Sequence, residues 1–107
     1  MASYWAVATS PDNEVVGVAG LGGLWLDEQL TEGIERPAEI FSVYVARPWL
    51  GLGVGRVMVA DVEARARQLG FSDLLAVSGT RHKEVGYPFW NRRYGTPARI
   101  DPDYWAE

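Results

Sequence analysis

Between Ala38 and Leu69 the chain changes its hydrophobic period, and that change limits the kind of unit it can form. The stretch AEIFSVYVARPWLGLGVGRVMVADVEARARQL opens with a strand over Glu39 to Arg47, carrying the β-branched residues Ile40, Val43 and Val45. Pro48 has no N–H to donate and helps end the pairing. From Gly53 onward Val54, Met58, Val62, Ala66 and Leu69 recur at helical spacing, with Arg56, Asp61, Glu63, Arg65 and Arg67 mostly on the other faces. Gly70 closes the helix as a left-handed cap. Gly51, Gly53 and Gly55 alternate through the joint, so no Cβ keeps a ligand from the backbone. A helix N-terminus has unpaired N–H donors and a partial positive charge. Strand, glycine turn and helix together therefore make an anion site.

The flanking segments supply the rest of a small mixed fold. Tyr4 to Thr9 is rich in β-formers, Ser10-Pro11-Asp12-Asn13 is a turn, and Glu14 to Leu26 resumes as a strand. Together they predict a β-hairpin, with Gly17, Gly20, Gly22 and Gly23 pointing to a bulge or bend. Asp27 to Pro37 is acidic and irregular, a loop. Leu74 to Ser78 is the next strand, which gives a β–α–β crossover and so a parallel pair. In Lys83 to Tyr94 the interruptions Gly86 and Pro88 place the start of a short helix near Pro88, and Gly95-Thr96-Pro97 ends it. Ala98 to Ile100 reads as a short strand, followed by a tail from Asp101 to Glu107. The predicted fold class is α/β (α+β), a compact mixed sheet in a single domain over residues 1–107. It has an N-terminal hairpin, a central β–glycine turn–α–β unit and a short C-terminal helix.

Composition removes several classes of function. With no cysteine, disulfides, a thiolate nucleophile and a thiolate zinc site are all excluded. The single histidine, His82, sits between Arg81 and Lys83 with no partner ligands in register, so no metal site is predicted. No leader pattern and no bilayer-length apolar run occur, so the expectation is a soluble cytoplasmic protein without membrane contact. A net charge of −4 argues against nucleic-acid binding. That charge is unevenly placed: residues 1–46 hold seven acids and one base, whereas residues 47–107 hold nine bases and seven acids. The half with the glycine turn is the basic half, as a polyphosphate ligand favours, although ordinary surface variation gives the same imbalance.

Glycine turns serve many anions, and two nucleotide motifs are excluded here. A Walker loop needs Gly-Lys-Ser/Thr, and no lysine follows. A dinucleotide fingerprint wants its third glycine one residue later and an acidic ribose partner after the next strand. A third pattern fits better: Glu, then hydrophobics, then V-x-P-x-x-R/Q-G-x-G-x-G/A opening a helix. It is matched by Glu39, Val43, Val45, Gly51, Gly53 and Gly55, with Leu50 at the R/Q place, and Gln68-Leu69-Gly70-Phe71 and Phe89-Trp90 continue the similarity. On these residues the chain resembles the GNAT acyltransferase family over roughly residues 4 to 95. Two positions depart from the pattern: Leu50 stands where Arg or Gln is usual, and Arg47 takes the proline position, with Pro48 one place later.

The resemblance implies acetyl-CoA as cosubstrate. Backbone N–H groups of Leu50, Gly51, Leu52, Gly53, Val54, Gly55 and Arg56 would hold the pyrophosphate. Exposed backbone around Val43, Tyr44 and Val45 would pair with the pantetheine arm and the thioester carbonyl. Leu50 supplies no polar side-chain contact, a deficit that Arg47 or Arg56 is placed to offset. The reaction implied is acetyl transfer to an amine by direct attack in a ternary complex. At pH 7 only about one lysine-like amine in 2,500 is neutral, given a reference pKa of ~10.4, so a base is useful. Glu39 is the candidate base, against a simple strand-pairing glutamate. For the acid the resemblance points to a tyrosine on the last helix. Asn91 holds the usual place, so Tyr94 and then Tyr87 are the candidates, against plain aromatic packing.

Members of this family usually have a strand and two helices before the hairpin and a final strand pair after the last helix. The shortened acceptor side implies either a large acceptor, such as a protein that completes the site, or a homodimer that fills the gap. The alternative to an enzyme is a non-catalytic CoA-binding or interaction module on the same fold.

Overall fold

A computed structural model describes residues 2–22, 35–76 and 83–95. They fall into two compact units, Met1–Leu75 and Ala76–Glu107. The first contains strands β1 (Ala2–Thr9), β2 (Val15–Gly22) and β3 (Pro37–Val45), a 3-10 turn at Arg47–Trp49, helix α1 (Val54–Gln68) and the start of β4 (Asp73–Ala76). The strand order is β1-β2-β3-β4. Strands β1, β2 and β3 run antiparallel, and β4 returns beside β3 after the α1 crossover, which makes the sheet mixed.

Local chemistry explains the hairpin. The Ser10 carbonyl accepts from the Asn13 N–H, and the Ser10 hydroxyl accepts from the N–H groups of Asp12 and Glu14. Asn13 takes the left-handed conformation (φ 65°) that asparagine tolerates better than most residues. Across the sheet, Trp5, Gly20 and Phe41 form one row. The two rings meet edge to face at 5.4 Å over the glycine, where a Cβ would stand 2.9 Å from each.

The opposite face carries the core. Ala6, Ala19, Leu21 and Ile40 pack beneath Met58, Val59, Val62 and Ala66 of α1. Leu21, Ile40, Val59 and Val62 are fully buried, each contributing about 1.5–3 kcal/mol. Gly17 admits the Met58 side chain, whose methyl lies 2.8 Å from where a Cβ would be. At the edge the Tyr4 hydroxyl donates to Asp61, a bond that raises the tyrosine pKa, and Arg65 lies 5.5 Å over the Tyr4 ring.

The helix ends as the sequence predicts. Gly70 has φ 82°, its N–H donates to the Arg67 carbonyl, and the Phe71 N–H reaches back to Ala66, which is a Schellman cap. Beside the cap, Arg36 and Ser72 exchange two hydrogen bonds of 2.9 Å, joining the entries of β3 and β4.

The second unit holds α2, and here the sequence reading is corrected. The helix spans Lys83–Tyr94 with Pro88 inside it, rather than starting near Pro88. Pro88 is the sixth helical residue, past the four whose N–H groups need no helical acceptor, so the helix forgoes the bond to the Glu84 carbonyl and continues through the proline. On α2, Trp90 stacks on Tyr94 at 5.5 Å and meets Phe89 edge to face at 4.9 Å. β3 also differs in its bounds, running from Pro37 to Val45 because Arg47 already belongs to the 3-10 turn. The predicted strand at Ala98 to Ile100, the tail after it, His82 and most of the acidic loop lie outside the described residues.

Candidate functional site

The site is built where β3 passes into α1. Ala46 donates to the Val16 carbonyl, the last tie to the sheet, after which Trp49 N–H bonds the Ala46 carbonyl and Leu50 N–H bonds that of Arg47. Gly51 then turns left-handed (φ 78°) and Gly53 does so again (φ 88°) as the N-cap of α1. L side chains adopt this conformation at a cost of about 1–2 kcal/mol per residue. The two glycines therefore determine where the chain can reverse. Among the described residues no atom lies within 4 Å of the place a Gly51 Cβ would take, so its backbone is open on that side.

The first helical bond runs from Val57 N–H to the Gly53 carbonyl. The N–H groups of Gly53, Val54, Gly55 and Arg56 therefore have no acceptor within the helix, and no side chain caps this end. The first turn contains no acidic residue. The Arg56 guanidinium folds back over the turn, its Nη2 3.3 Å from the Gly53 Cβ position. Backbone donors, a helix N-terminus and one cation thus converge on the same spot. A di-anionic phosphate group is what such a donor set suits. Leu50 and Leu52 flank it as apolar side chains, 40% and 68% exposed.

Upstream, β3 contains a feature that the sequence did not signal. Between the pairs Val18↔Tyr44 and Gly20↔Phe41, β2 advances two residues while β3 advances three. The extra residue falls at Ser42–Val43, and Ser42 has φ 51°, a left-handed serine inside a strand. Such a bulge leaves a residue unpaired and bends the strand. The Arg36–Ser72 bonds set β3 and β4 level at their starts. Counted from there, the four described residues of β4 reach only the first half of β3. The main chain at Val43 and Val45 lies beyond them.

Glu39 stands three residues before the bulge, about 10 Å along the strand. Opposite Gly22 in β2, it lies on the sheet face away from α1 and is 9% exposed. Among the described residues its Oε1 has no hydrogen-bond partner, and burial raises its pKa. An unmet acceptor of this kind in a nearly buried carboxylate calls for an explanation, and a proton-accepting role is one.

Glu39, Val43, Tyr44, Val45 and the Leu50 to Arg56 turn thus lie along one continuous segment of the first unit. Tyr94 belongs to the second unit as the last residue of α2, 43% exposed and stacked on Trp90. The Tyr87 side chain lies outside the described residues. Among the described residues no group of three or more His, Asp or Glu is arranged to hold a metal ion. No described helix is long and apolar enough to cross a membrane.

The profile of the acetyltransferase (GNAT) family matches residues 2–95. The chain belongs to this family. Among curated protein sequences no match was found. Solved structures of similar fold include a Trypanosoma brucei acetyltransferase (20% identity, TM-score 0.62), covering 91% of this chain and 63% of its own. The ribosomal-protein-alanine N-acetyltransferase of Brucella melitensis biovar Abortus matches at 18% identity and TM-score 0.70, over 91% and 66% of the two chains. The glucosamine-6-phosphate N-acetyltransferase of Arabidopsis thaliana matches at 12% and 0.65, over 91% and 62%. This GNAT chain therefore spans less than two thirds of the length of these proteins. At such identities the likeness concerns the fold, a mixed sheet crossed by one central helix.

Proposed function

We propose that this GNAT chain binds acetyl-CoA at the glycine turn and transfers its acetyl group to an amine by direct attack. The observation that carries the reading is the cluster of four free N–H groups at the start of α1, beneath Arg56 and behind two left-handed glycines. These groups hold the pyrophosphate, and Arg56 supplies the positive side chain that Leu50 does not. The main chain of Val43 and Val45, set out of register by the bulge, orients the pantetheine arm. Acetyl-CoA supplies an activated acyl group as a thioester. Glu39 accepts a proton from the incoming amine, and its raised pKa makes it a stronger base than an ordinary surface carboxylate. The acid role falls to Tyr94, with Tyr87 next, on the family pattern. An amine acceptor is supported by the names of two similar structures, an alanine and a glucosamine-phosphate N-acetyltransferase.

A second reading, a CoA-binding module without turnover, is favoured by one observation: the exposed apolar Leu50 and Leu52 at the mouth of the turn. Two experiments separate the readings. Thermal stabilisation by millimolar CoA tests binding, and its absence refutes both. Release of free thiol from acetyl-CoA in the presence of amines and lysine peptides then tests transfer. Binding without thiol release across the panel would establish the module and reject the enzyme.

A further inference from the structure

Glu39 shares its face of the sheet with two aromatic rings. Phe41 follows it by two residues, so both side chains leave β3 on the same face, about 7 Å apart. Across β2 the partners of these two residues are Gly22 and Gly20, which contribute no side chain. Trp5 of β1 completes the row, paired with Gly20 and edge to face with Phe41 at 5.4 Å. It remains 47% exposed. Glu39 is the one charged residue in β1, β2 and β3. A carboxylate nine-tenths buried, whose Oε1 has no hydrogen-bond partner among the described residues, thus stands at the end of an aromatic wall.

We propose that this wall selects the acceptor: a primary amine with an uncharged aromatic or bulky apolar body, its nitrogen toward Glu39 and its body against Phe41 and Trp5. The inference rests on the transfer reading above and names the substrate class of that same site. The order of residues along β3 supports it. Phe41 stands between Glu39 and the bulge at Ser42–Val43, where the proposed pantetheine arm brings the thioester. An amine held between carboxylate and thioester therefore passes the Phe41 ring. Aromatic faces attract the amine while it is still an ammonium, and they pack against an apolar body throughout. In the transfer the nitrogen gives one proton to Glu39 and bonds to the acyl carbon. The carbon–sulfur bond breaks, and the second proton leaves with the sulfur, so the products are an amide and a free thiol. Charge sets the limits of the class. A carboxylate or phosphate on the acceptor would meet no cation on these three strands and would be brought close to Glu39, a like charge. A second ammonium would find no second acid there.

Calorimetric titration of the full chain, with and without CoA, compares phenethylamine, ethanolamine and phenylalanine. Ethanolamine keeps the amine and its two carbons but lacks the ring, and phenylalanine adds a carboxylate to the ring. Phenethylamine is expected to bind roughly three- to tenfold more tightly than either. Trp5→Ala should bring phenethylamine and ethanolamine within about twofold of each other. Equal affinities for the unmodified protein overturn the proposal, as does a preference that survives Trp5→Ala. If that variant fails to fold, the three amines on the unmodified chain decide alone. Thiol release from acetyl-CoA is measured separately. The expected preference without thiol release upholds the subsite and rejects the transfer reading, whereas equal thiol release with phenethylamine and ethanolamine, at equal affinity, upholds transfer and overturns the subsite.

Discussion

Two glycines at opposite ends of α1 allow binding to be separated from stability. Gly51 (φ 78°) lies in the turn before the helix and Gly70 (φ 82°) in the cap after it. Alanine in the left-handed region costs about 1–2 kcal/mol at either position. For a chain of this size that corresponds to a fall in Tm of roughly 5–10 °C. Steric terms add little: no atom of the described residues lies within 4 Å of a Gly51 Cβ, and at Gly70 the near atom is the Arg36 guanidinium, the end of a flexible side chain. The two variants should therefore melt at similar temperatures. They should differ in CoA affinity, because a Cβ at Gly51 enters the space in front of the turn while Gly70 faces away from it. Losing one hydrogen bond to a charged group removes about 1.5–3 kcal/mol, roughly a ten- to hundredfold rise in Kd. Calorimetric titration of both variants with CoA, below their melting temperatures, measures this. If Gly51→Ala binds as tightly as Gly70→Ala, the turn does not hold the pyrophosphate and the proposed cosubstrate site is wrong.

Glu39→Gln tests the buried carboxylate in two ways. A carboxyl whose folded pKa exceeds its unfolded value of about 4.3 binds more protons when folded, so stability falls as pH rises through that interval. Melting curves should show wild type losing stability above about pH 4 relative to Glu39→Gln, and parallel curves would contradict the raised pKa. If Glu39 is the base, the same variant keeps its CoA affinity, turns over more slowly and loses the rise of rate with pH; unchanged turnover between about pH 6 and 9 refutes the role. Arg56→Ala should weaken CoA binding about three- to tenfold at low salt, with the difference shrinking as salt is added; a salt-independent loss would mean that Arg56 acts by packing. Ser42→Gly removes a left-handed non-glycine residue and should stabilise the fold by about 0.5–1 kcal/mol, net of the glycine's greater unfolded freedom. Denaturant midpoints check this, and a loss of stability would show that the Ser42 side chain contributes to the bulge.

The parts of this fold that were legible in the sequence are those set by local chemistry. Gly70 announces its cap because only glycine adopts that conformation without strain, and Met58, Val62 and Ala66 announce the buried face of α1 by their spacing. The hairpin turn is written in Ser10 and Asn13. The Ser42 bulge is not written anywhere nearby, because serine has no preference for φ 51°. It arises from registering β3 against β2, with Phe41 fixed beside Gly20 by Trp5 and Val45 fixed beside Gly17. A mismatch of one residue between two such anchors is a tertiary quantity. The start of α2 also departs from local expectation: Pro88 costs the helix its bond to the Glu84 carbonyl, a local penalty that the turns on either side outweigh.

That division also bears on how little side-chain sequence a site of the proposed kind requires. In the proposed site the working groups are the N–H donors of Gly53, Val54, Gly55 and Arg56 and the strand backbone at Val43 and Val45. Main-chain atoms are present whatever the side chain, so the constraint on sequence is confined to positions where backbone geometry demands a residue type, Gly51 and Gly53. Leu50 can then replace a polar residue without dismantling the turn, provided that a nearby cation such as Arg56 supplies the lost charge. It follows that the two substitutions are coupled. Replacing Leu50 with arginine should offset the loss caused by Arg56→Ala, and a double-mutant cycle in CoA affinity should depart from additivity by more than about 0.5 kcal/mol. Additive effects would mean that the two positions serve different parts of the ligand.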